Sequence, residues 1–316
     1  MTFTVIVPCH NDEGTIARTL TSILRQSYGD FEVLVIDDAS SDGTRDAIAE
    51  FTDARIRCAR RHTPGPGGYA ARNLGIALAR GEFIAFLDAD DVWDEHHLAT
   101  MADVVARHPD VTFFSSAWQS VLGNETVQNA FSRSIATEEV RVDLERYFHL
   151  IRSRRPPVWT GVACMRRSAL TSTDVFPTNP KIRRGGDTFA WLRLVCEHGE
   201  IVVSNHVGAT YMRNDSTVTR TSPPSHEIYR PEAYEELAAL VPARLHPQLM
   251  RHFNRALAVT WIRNVIEDGS TFPLWDRIWL GGMDRLVVGA VALSLLPNGL
   301  VRAVLSVGLA LRPRRN

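Results

Sequence analysis

The sequence has few of the features that mark several broad classes of protein. Its four cysteines, Cys9, Cys58, Cys164 and Cys196, are far apart and form no Cys-x-x-Cys pair, which favours a reduced cytoplasmic setting over a disulfide framework. The formal net charge is −1, and no lysine- and arginine-rich stripe runs among aromatic residues, so a nucleic-acid partner is not expected. The N-terminal residues 3–8 are typical of a strand rather than of a signal peptide. With 45% apolar residues, the 316-residue chain can form one large domain or two.

Long apolar runs are also missing. The C-terminal segments 286–296 and 300–311 are mainly apolar, but Pro-Asn-Gly at 297–299 separates them, and each is too short to cross about 30 Å of hydrocarbon alone. Two interpretations of residues 284–316 stay open. One is a buried helical hairpin, and the other is a monotopic or re-entrant membrane contact with the terminal arginines at anionic lipid. The second would place the protein at the inner face of the cytoplasmic membrane.

The sequence does contain a concentration of carboxylates after an apolar run. Residues 83–87 have the pattern of a short buried strand, and Asp88, Asp90 and Asp91 follow directly. Like charges this close repel one another and must be hydrated, paired or metal-bound. In an extended segment Asp88 and Asp90 point to the same side, which suits Mg²⁺ or Mn²⁺ shared with substrate phosphates. The alternative is a solvated loop with an aspartate helix cap.

The N-terminal third alternates between strand and helix patterns. Runs of apolar and β-branched residues predict strands over 3–8, 31–36, 55–59 and 81–87. Amphipathic patterns predict helices over 15–26, 44–51 and 70–79, the last with Leu74 and Leu78 facing inward. Later segments predict helices over 95–107, 140–151 and 232–266 and strands over 110–116 and 202–211.

This alternation indicates an α/β fold with a parallel sheet covered on both faces. Ligands of such sheets bind at the carboxyl ends of the strands. Polar clusters stand at three of those ends, over residues 9–12, 37–40 and 88–91. Three clusters at equivalent ends of one sheet predict a binding site there.

Four motifs in this region resemble those of family 2 glycosyltransferases of the GT-A fold. They are Val7-Pro8-Cys9-His10-Asn11, Val35-Ile36-Asp37-Asp38-Ala39-Ser40-Ser41-Asp42-Gly43-Thr44, Ala71-Arg72-Asn73-Leu74-Gly75 and Gly81-Glu82-Phe83-Ile84-Ala85-Phe86-Leu87-Asp88-Ala89-Asp90-Asp91. The match is dense over residues 1–115 and extends more thinly to residue 220. The resemblance implies a GT-A catalytic domain with a mostly parallel, Rossmann-like sheet over 1–225. A helical extension over 226–283 and the apolar segment 284–316 would follow.

The resemblance implies a nucleotide-sugar donor, with a UDP-sugar expected. In the family the first loop, here Pro8, His10 and Asn11, wraps the nucleotide base. Asp38 or its neighbour Asp37 accepts a hydrogen bond from a base N–H, typically that of uracil. A carboxylate suits this role because it only accepts hydrogen bonds when ionised. From the residues alone, the Asp-Asp stretch also fits a helix N-cap arrangement.

Arg72 and Asn73 follow a loop rich in glycine and proline and belong to the implied donor site. The guanidinium of Arg72 could bridge the donor diphosphate or pair with an aspartate of the cluster, since its fork matches either group. By resemblance, Asp88 lies near the ribose and at the metal, Ala89 lies beside it, and Asp90 bonds directly to Mn²⁺ or Mg²⁺. The cation would neutralise the diphosphate, which leaves as an anion when the sugar bond breaks.

The acceptor side and the catalytic base are implied further along the chain. Trp159, Thr160 and Gly161 resemble the family strand that borders the acceptor pocket, although Trp159 also fits a core position. Asp187 opens a predicted amphipathic helix at the place of the family's general base, with a helix N-cap as the alternative. Gly186, a further acceptor-side candidate, replaces the glutamate that the family often has there. The base would take the proton of an acceptor hydroxyl as it attacks the anomeric carbon, and one displacement would invert that carbon.

The sequence therefore predicts a metal-assisted, inverting glycosyltransferase with a glycan, lipid-linked or other cell-envelope acceptor. One alternative is a sugar-phosphate nucleotidyltransferase on a similar sheet. That enzyme would need a glycine-rich loop with arginine or lysine after the first strand, and residues 8–13 offer neither. The other alternative is a non-catalytic nucleotide-sugar-binding or membrane scaffold protein, which only the missing glutamate before Asp187 encourages.

Overall fold

A computed structural model describes residues 1–215, 225–267, 269–296, 299–301 and 305. The chain divides into two compact units, Met1–Ser222 and Pro223–Asn316. This division lies close to the boundary predicted at residue 225, whereas the boundary at 283 stays a prediction. Most of the apolar stretch 300–311 and all the terminal arginines lie outside the described residues, so the predicted hairpin is not tested. Among the described helices, none combines the length and the apolar character that a bilayer span requires.

Ten strands form one sheet within the described part of the first unit. They are β1 (Phe3–Cys9), β2 (Phe31–Asp38), β3 (Ile56–Arg61), β4 (Phe83–Phe86), β5 (Val92–Trp93), β6 (Phe113–Leu122), β7 (Glu125–Gln128), β8 (Glu139–Asp143), β9 (Cys164–Arg166) and β10 (Glu200–Met212). Their order is β3-β2-β1-β4-β9-β6-β10-β5, with β7 beside β6 and β8 beside β10. Strands β1 to β4 pair in parallel as predicted. The α/β fold class is confirmed, and antiparallel β9 makes the other half of the sheet mixed.

Helices connect these strands. Those described in the first unit are α1 (Ile16–Leu24), α2 (Thr44–Ala49), α3 (Tyr69–Leu78), α4 (His97–Arg107), α5 (Leu144–Arg152) and α6 (Gly186–His198), with 3-10 turns at Pro66–Gly68, Ser132–Ser134, Thr160–Val162 and Arg167–Ala169. The helix predicted over 140–151 is wrong in its first part, because residues 139–143 pair with β10 as strand β8. Valine alternates with charged residues there, which is a strand pattern. Helix α5 begins only after Asp143, whose side chain accepts a hydrogen bond from Arg146 N.

Helix α3 rests on the sheet through its small residues. Leu78 is exposed and Leu74 only half-buried, so the predicted inward face is wrong. The buried face instead carries Gly75 and its neighbours, and a Cβ added to Gly75 would lie 2.5 Å from Cγ2 of Ile6 in β1. The prediction placed the large apolar residues inward. Close packing of α3 against β1 instead requires a residue without a side chain, which is Gly75.

We expect Gly75→Ala to lower the free energy of unfolding by about 1–3 kcal/mol, because the added methyl group overpacks the contact with buried Ile6. Denaturant titration measures the change. Gly29→Ala is the matched control, since nothing lies within 4 Å of a Cβ at Gly29. Equal stability of the two variants would contradict the close approach of α3 to β1.

The second unit is helical over its described residues. It contains α7 (Pro231–Leu240), α8 (His246–Glu267) and α9 (Arg285–Ser294), with 3-10 turns at His226–Tyr229, Ala243–Leu245, Trp275–Arg277 and Leu280–Gly282. The continuous helix predicted over 232–266 is interrupted at Pro242, which cannot donate a backbone hydrogen bond. Buried Leu257 and Trp261 of α8 form a core with Val287 and Val291 of α9.

Candidate active site

A cleft of about 590 Å³ opens at the carboxyl ends of the parallel strands. His10 follows β1, Asp38 ends β2, and Asp88 follows β4, so three neighbouring strands contribute to one wall. The donor-side predictions in the lining are Pro8, His10, Asp38, Arg72, Asp88, Ala89 and Asp90. Trp159 and Asp187, predicted for the acceptor side and the base, line the same cleft. The fold thus brings together residues that lie almost 180 positions apart, between His10 and Asp187.

Six other predicted site residues are not part of the cleft lining: Asn11, Asp37, Asn73, Thr160, Gly161 and Gly186. Two of them hold backbone near it. The side chain of Asn73 donates to Phe176 O and accepts from Phe176 N, both at 2.9 Å. Asn11 Oδ1 accepts from Ser41 N at 2.8 Å. In this structure these two amides shape loops beside the cleft.

The two aspartates at the end of β2 have different surroundings. Asp37 Oδ1 accepts from Ser40 N at 2.8 Å, so Asp37 stabilises the turn after the strand. Asp38 lines the cleft, where its carboxylate pairs with Arg61 and accepts from Gly65 N at 2.9 Å. An ionised carboxylate has about four acceptor sites, so Asp38 can accept a further hydrogen bond from a ligand. Neither Asp37 nor Asp38 caps α2: its N-cap residue is Gly43, and Asp42 Oδ1 accepts from Thr44 N, the first N–H of the helix, at 3.1 Å.

His10 is held against the end of β2. Its Nδ1 lies 2.7 Å from the backbone oxygen of Asp38. A carbonyl oxygen can only accept, so Nδ1 carries the hydrogen, and in the neutral ring Nε2 accepts from Asn11 Nδ2 at 3.3 Å. The imidazole is therefore an oriented, largely exposed plane at the cleft.

Arg72 is buried and makes an ion pair with Asp88. Its Nη1 donates to Gly67 O at 3.0 Å, and the guanidinium lies 5.5 Å from the centre of the Phe176 ring. Burial opposes the charged form, but the negative charge of Asp88 and then that of Asp187 keep the pKa of Arg72 above its usual value. Of the two roles left open for Arg72, pairing with the acidic cluster is the one present in this structure.

The acidic cluster contains one member more than the predicted pair. Asp12 lines the cleft with Asp88 and Asp90. Burial, followed by the charges of Asp88 and Asp12, raises the pKa of Asp90 to about 7. Burial likewise raises the pKa of Asp12 to about 6. The positive charge of Arg72 offsets the negative charge of Asp88. The carboxylates of Asp12 and Asp90 are farther from this compensation, so their mutual repulsion is offset less.

Asp91 lies behind this cluster and holds the loop in place. It is 1% exposed, and its Oδ1 accepts from Met212 N at 2.8 Å, which ties the loop to the end of β10. Burial and the neighbouring aspartates raise its pKa well above the usual range. Arg18 Nη2 donates to Asp90 O at 2.6 Å and pairs with Asp215 at 2.8 Å. These contacts fix the backbone on which Asp88 and Asp90 are presented.

Asp187 stands in the first turn of α6, half-buried at the cleft. Gly185 is the N-cap residue, so the N-cap alternative for Asp187 is wrong. Burial raises the pKa of Asp187, while the charge of Arg72 opposes that shift. Thr160 Oγ1 lies 3.5 Å from Asp187 Oδ2 and can donate to it. A carboxylate with a raised pKa is a stronger base than a free aspartate and suits proton abstraction.

Steric crowding explains why the residue before Asp187 is a glycine. A Cβ at Gly186 would lie 2.6 Å from Cγ of Pro177 and 2.8 Å from the Tyr69 ring. Gly186 N also donates to the Tyr69 hydroxyl at 2.9 Å. Tyr69 is buried and stacks on Phe176, so its ring cannot easily move away. The space that a glutamate side chain would enter is therefore occupied by Tyr69 and Pro177.

We expect Gly186→Ala to lower the free energy of unfolding by about 1–3 kcal/mol, because its Cβ meets two packed side chains. Denaturant titration compares it with Gly14→Ala, where nothing lies within 4 Å of an added Cβ. If Gly186→Ala is as stable as Gly14→Ala, then crowding by Tyr69 and Pro177 does not explain the glycine.

Trp159 belongs to an aromatic group beside the cleft. Its ring centre lies 5.3 Å from that of Tyr211 and 6.2 Å from that of Trp118. Trp159 and Tyr211 both line the cleft, which gives it an apolar wall near the base candidate. Gly161 O accepts from the indole N–H of Trp93 at 2.6 Å, so Gly161 supports this region from behind.

Sequence reasoning missed several lining residues. Asp12, Tyr69, Arg184 and Thr188 line the cleft but were not predicted as site residues. Asp12 could have been predicted as a site residue, because it ends the polar cluster at the carboxyl end of β1. Tyr69 is the first residue of α3 and Arg184 lies in the loop before α6, and at such positions no periodic pattern indicates which way a side chain points.

The charges in the cleft fit a bound cation. Five carboxylates line it, those of Asp12, Asp38, Asp88, Asp90 and Asp187, against the guanidiniums of Arg72, Arg184 and Arg213. An anionic ligand would be repelled by this excess unless a cation joined it. Within the described ranges, no group of three or more histidine, cysteine, aspartate or glutamate residues is arranged to hold a metal ion by itself. Asp88 and Asp90 fit a Mg²⁺-like site, which takes one or two carboxylates and completes its shell with phosphate and water oxygens.

The family model for glycosyl transferase family 2 matches residues 4–172. This span covers more than half of the chain and includes β1 to β4 and the carboxylate loop. The chain belongs to glycosyl transferase family 2.

Two curated relatives show how far the likeness extends. The chain is 36% identical over 124 residues to the Escherichia coli UDP-Glc:alpha-D-GlcNAc-diphosphoundecaprenol beta-1,3-glucosyltransferase WfgD, covering 39% of this chain and 48% of that protein. It is 37% identical over 128 residues to the succinoglycan biosynthesis protein ExoW of Rhizobium meliloti, covering 39% and 38% of the two chains. The chain thus matches less than half the length of these relatives.

A solved structure extends the fold comparison. Residues 1–349 of S. aureus TarS, solved in complex with UDP-GlcNAc, superpose with a TM-score of 0.69 and 22% identity. The superposition covers 96% of this chain and 88% of the TarS chain. It confirms the predicted GT-A fold.

Proposed function

We propose that the protein transfers a sugar from a nucleotide-diphosphate donor to a hydroxyl group of a glycan or lipid-linked acceptor, with inversion of the anomeric carbon. The observation that carries this proposal is the composition of this cleft. It holds one carboxylate suited to a nucleobase, Asp38, a carboxylate pair suited to a diphosphate-bound cation, and a separate half-buried carboxylate, Asp187. These are the three chemical functions that the reaction requires.

UDP is the nucleotide of the proposed donor. Uracil offers an N–H to the remaining acceptor sites of Asp38, and the plane of His10 stands next to it. The E. coli relative is named for a UDP-Glc donor, and TarS was solved with UDP-GlcNAc. Both names support a UDP-sugar without selecting the sugar.

Mn²⁺ or Mg²⁺ is the proposed cofactor, held by Asp90 and Asp88. When bound, it would neutralise the diphosphate and so make it a better leaving group. The chain itself prepares the site, because Asp91 and Arg18 hold the loop that carries these carboxylates. Arg72 pairs with Asp88 and offsets its negative charge. Burial and the charges of Asp88 and Asp12 act on Asp90 and raise its pKa.

We expect the affinity for UDP in the presence of Mn²⁺ to fall as the pH drops below about 7, by about tenfold per pH unit. The pKa of Asp90 is raised to about 7, so below that pH a proton occupies the carboxylate that would bind the cation. Isothermal titration across this range measures the effect, and UDP without metal is the control. A flat profile with Mn²⁺ would argue against Asp90 as the ligand.

Asp187 is the proposed base. Its carboxylate takes the proton of an acceptor hydroxyl while the hydroxyl oxygen attacks the anomeric carbon. The bond from that carbon to the diphosphate oxygen breaks, its electron pair stays on the diphosphate, and the proton remains on Asp187 until solvent removes it. The raised pKa strengthens the base, and the Arg72 charge opposes that shift and so favours the ionised form of Asp187.

A lipid-linked or polysaccharide-precursor acceptor is supported by the relatives. WfgD is named for a diphosphoundecaprenol-linked substrate, and ExoW for succinoglycan biosynthesis. Such an acceptor would place the enzyme at the inner face of the cytoplasmic membrane. Fractionation of cells that produce the full chain tests this location, and recovery wholly in the supernatant at physiological salt would contradict it.

A donor screen tests the proposed activity. Purified protein is incubated with UDP-sugars and GDP-sugars in Mn²⁺ or Mg²⁺, with and without acceptor, and the released nucleotide is measured. We expect metal-dependent release of UDP from one sugar donor. Metal-dependent UDP binding without release from any donor would instead favour the non-catalytic nucleotide-sugar binder.

A further inference from the structure

Helix α9 has no polar face. Its inward residues, Val287, Ala290 and Val291, are buried in the core of the second unit. Its exposed residues and those directly after it are also apolar, apart from one arginine at the start: Arg285, Val288, Gly289, Ala292, Leu295 and Leu296. Helix α5 shows the usual contrast, since its exposed face carries Glu145, Arg146 and His149. A helix that is apolar all round normally lies in a protein core or in lipid.

The exposed side chains are large and accessible. Val288 is 51% exposed, Leu295 73% and Leu300 53%. Val288 and Leu295 are seven positions apart, so they lie on the same side of a helical path. We call Val288, Leu295, Leu296 and Leu300 the apolar surface of α9.

The charge of the surrounding sequence indicates which partner suits this surface. Residues 285–316 contain five arginines and no aspartate or glutamate. The whole chain has a net charge of −1, so the preceding 284 residues carry −6. The segment that exposes the apolar surface thus carries a net positive charge, while the rest of the chain is net negative. Basic residues next to exposed leucine and valine are the combination that binds anionic membranes.

We propose that the apolar surface of α9 lies in the interface of an anionic lipid bilayer, to which the net positive charge of the sequence 285–316 attracts it. The proposed contact is interfacial, with the side chains of this surface at the boundary between the lipid headgroups and the acyl chains. The inference deepens the proposed function, since it rests on a lipid-linked acceptor for its purpose. Its measurement needs neither donor nor acceptor, so the two proposals can fail separately.

Vesicle sedimentation with the full chain tests the surface. The protein is mixed with vesicles of phosphatidylcholine alone or with about 30% phosphatidylglycerol, at low and at high salt. We expect binding to the anionic vesicles, little binding to the neutral ones, and weaker binding at high salt because salt screens the arginine–lipid attraction. Failure to bind anionic vesicles at low salt would overturn the proposal.

Two matched variants distinguish vesicle binding through this surface from nonspecific adsorption of exposed apolar residues. The triple variant Val288→Gln, Leu295→Gln, Leu300→Gln is expected to bind anionic vesicles at least tenfold more weakly than wild type. The control Leu122→Gln, Val127→Gln alters apolar residues of similar exposure, 50% and 51%, in the first unit and should bind like wild type. Thermal unfolding checks that both variants are folded. Equal vesicle binding by the two variants would overturn the assignment to α9.

Further measurements distinguish lipid binding from dimer formation and from a failure of the proposed transfer. Arg312→Gln with Arg314→Gln and Arg315→Gln should reduce the preference for phosphatidylglycerol. If the apolar surface instead binds a second copy of the chain, size-exclusion chromatography will show a dimer that the triple variant abolishes, without vesicle binding, and the lipid proposal is wrong. Vesicle binding by a protein that releases no nucleotide from any donor would support this surface and contradict the proposed transfer.

Discussion

Asp187→Asn is expected to reduce the rate of sugar transfer by about 10²–10⁴-fold while UDP binding in Mn²⁺ stays unchanged. The amide has nearly the same shape as the carboxylate but cannot accept a proton at neutral pH. Asp187 lines the cleft at the start of α6 and makes none of the contacts that hold the Asp88–Asp91 loop. The loss should therefore fall on the chemical step and not on donor binding.

The measurement combines single-turnover transfer kinetics with isothermal titration of UDP. Glu197→Gln is a matched control on the same helix, because its carboxylate pairs with Arg193 and does not line the cleft. It should retain the wild-type rate. In wild type, kcat at saturating donor and metal should decline on acidification at a pH above the usual aspartate range, because burial raises the pKa of Asp187. Transfer by Asp187→Asn at the wild-type rate would remove this residue from the role of base.

Asp90→Asn is expected to abolish the contribution of Mn²⁺ to UDP binding without lowering stability. Burial and the charges of Asp88 and Asp12 raise the pKa of Asp90, so its ionised form is disfavoured in the folded protein. Replacing the charge with a neutral amide relieves this repulsion. Isothermal titration of UDP with and without Mn²⁺, together with denaturant titration at pH 8, measures both effects.

Asp88→Asn provides the contrast. It removes the partner of Arg72, whose side chain is 7% exposed, and leaves a buried guanidinium without its counter-ion. We expect the free energy of unfolding to fall by about 3 kcal/mol, the lower end for a broken buried pair, because Asp88 itself is 28% exposed. If both asparagine variants were equally stable, the ion pair would not separate the roles of the two aspartates. If Asp90→Asn still bound UDP in a metal-dependent way, Asp90 would not be the ligand.

Local patterns were sufficient for the parallel half of the sheet. Continuous apolar strands and the helices between them are determined by short-range sequence, and the carboxyl ends of β1, β2 and β4 lie side by side as predicted. Patterns were insufficient where the inward face depended on a missing side chain, as at Gly75. They were also insufficient at residues 139–143, which are a strand only because β10 lies beside them.

The candidate site divides in the same way. Residue type and position after a strand were enough to select Asp38, Asp88 and Asp90, and the resemblance to the family added Asp187. Which of Asp37 and Asp38 lines the cleft depends on the turn that Ser40 N makes with Asp37. The placement of Asp12 and Tyr69 beside the predicted residues required the full set of loop conformations.

The amino-acid sequence by itself determined the family, the α/β order of elements and the carboxylates at the strand ends, because each depends on residues that are neighbours in the chain. Only the tertiary structure decided that Arg72 pairs with Asp88, that Tyr69 fills the space in front of Gly186, and that burial and the charges of Asp88 and Asp12 raise the pKa of Asp90. These features arise from burial and from charges brought close by folding. Both effects depend on distances in space between residues that are remote in sequence.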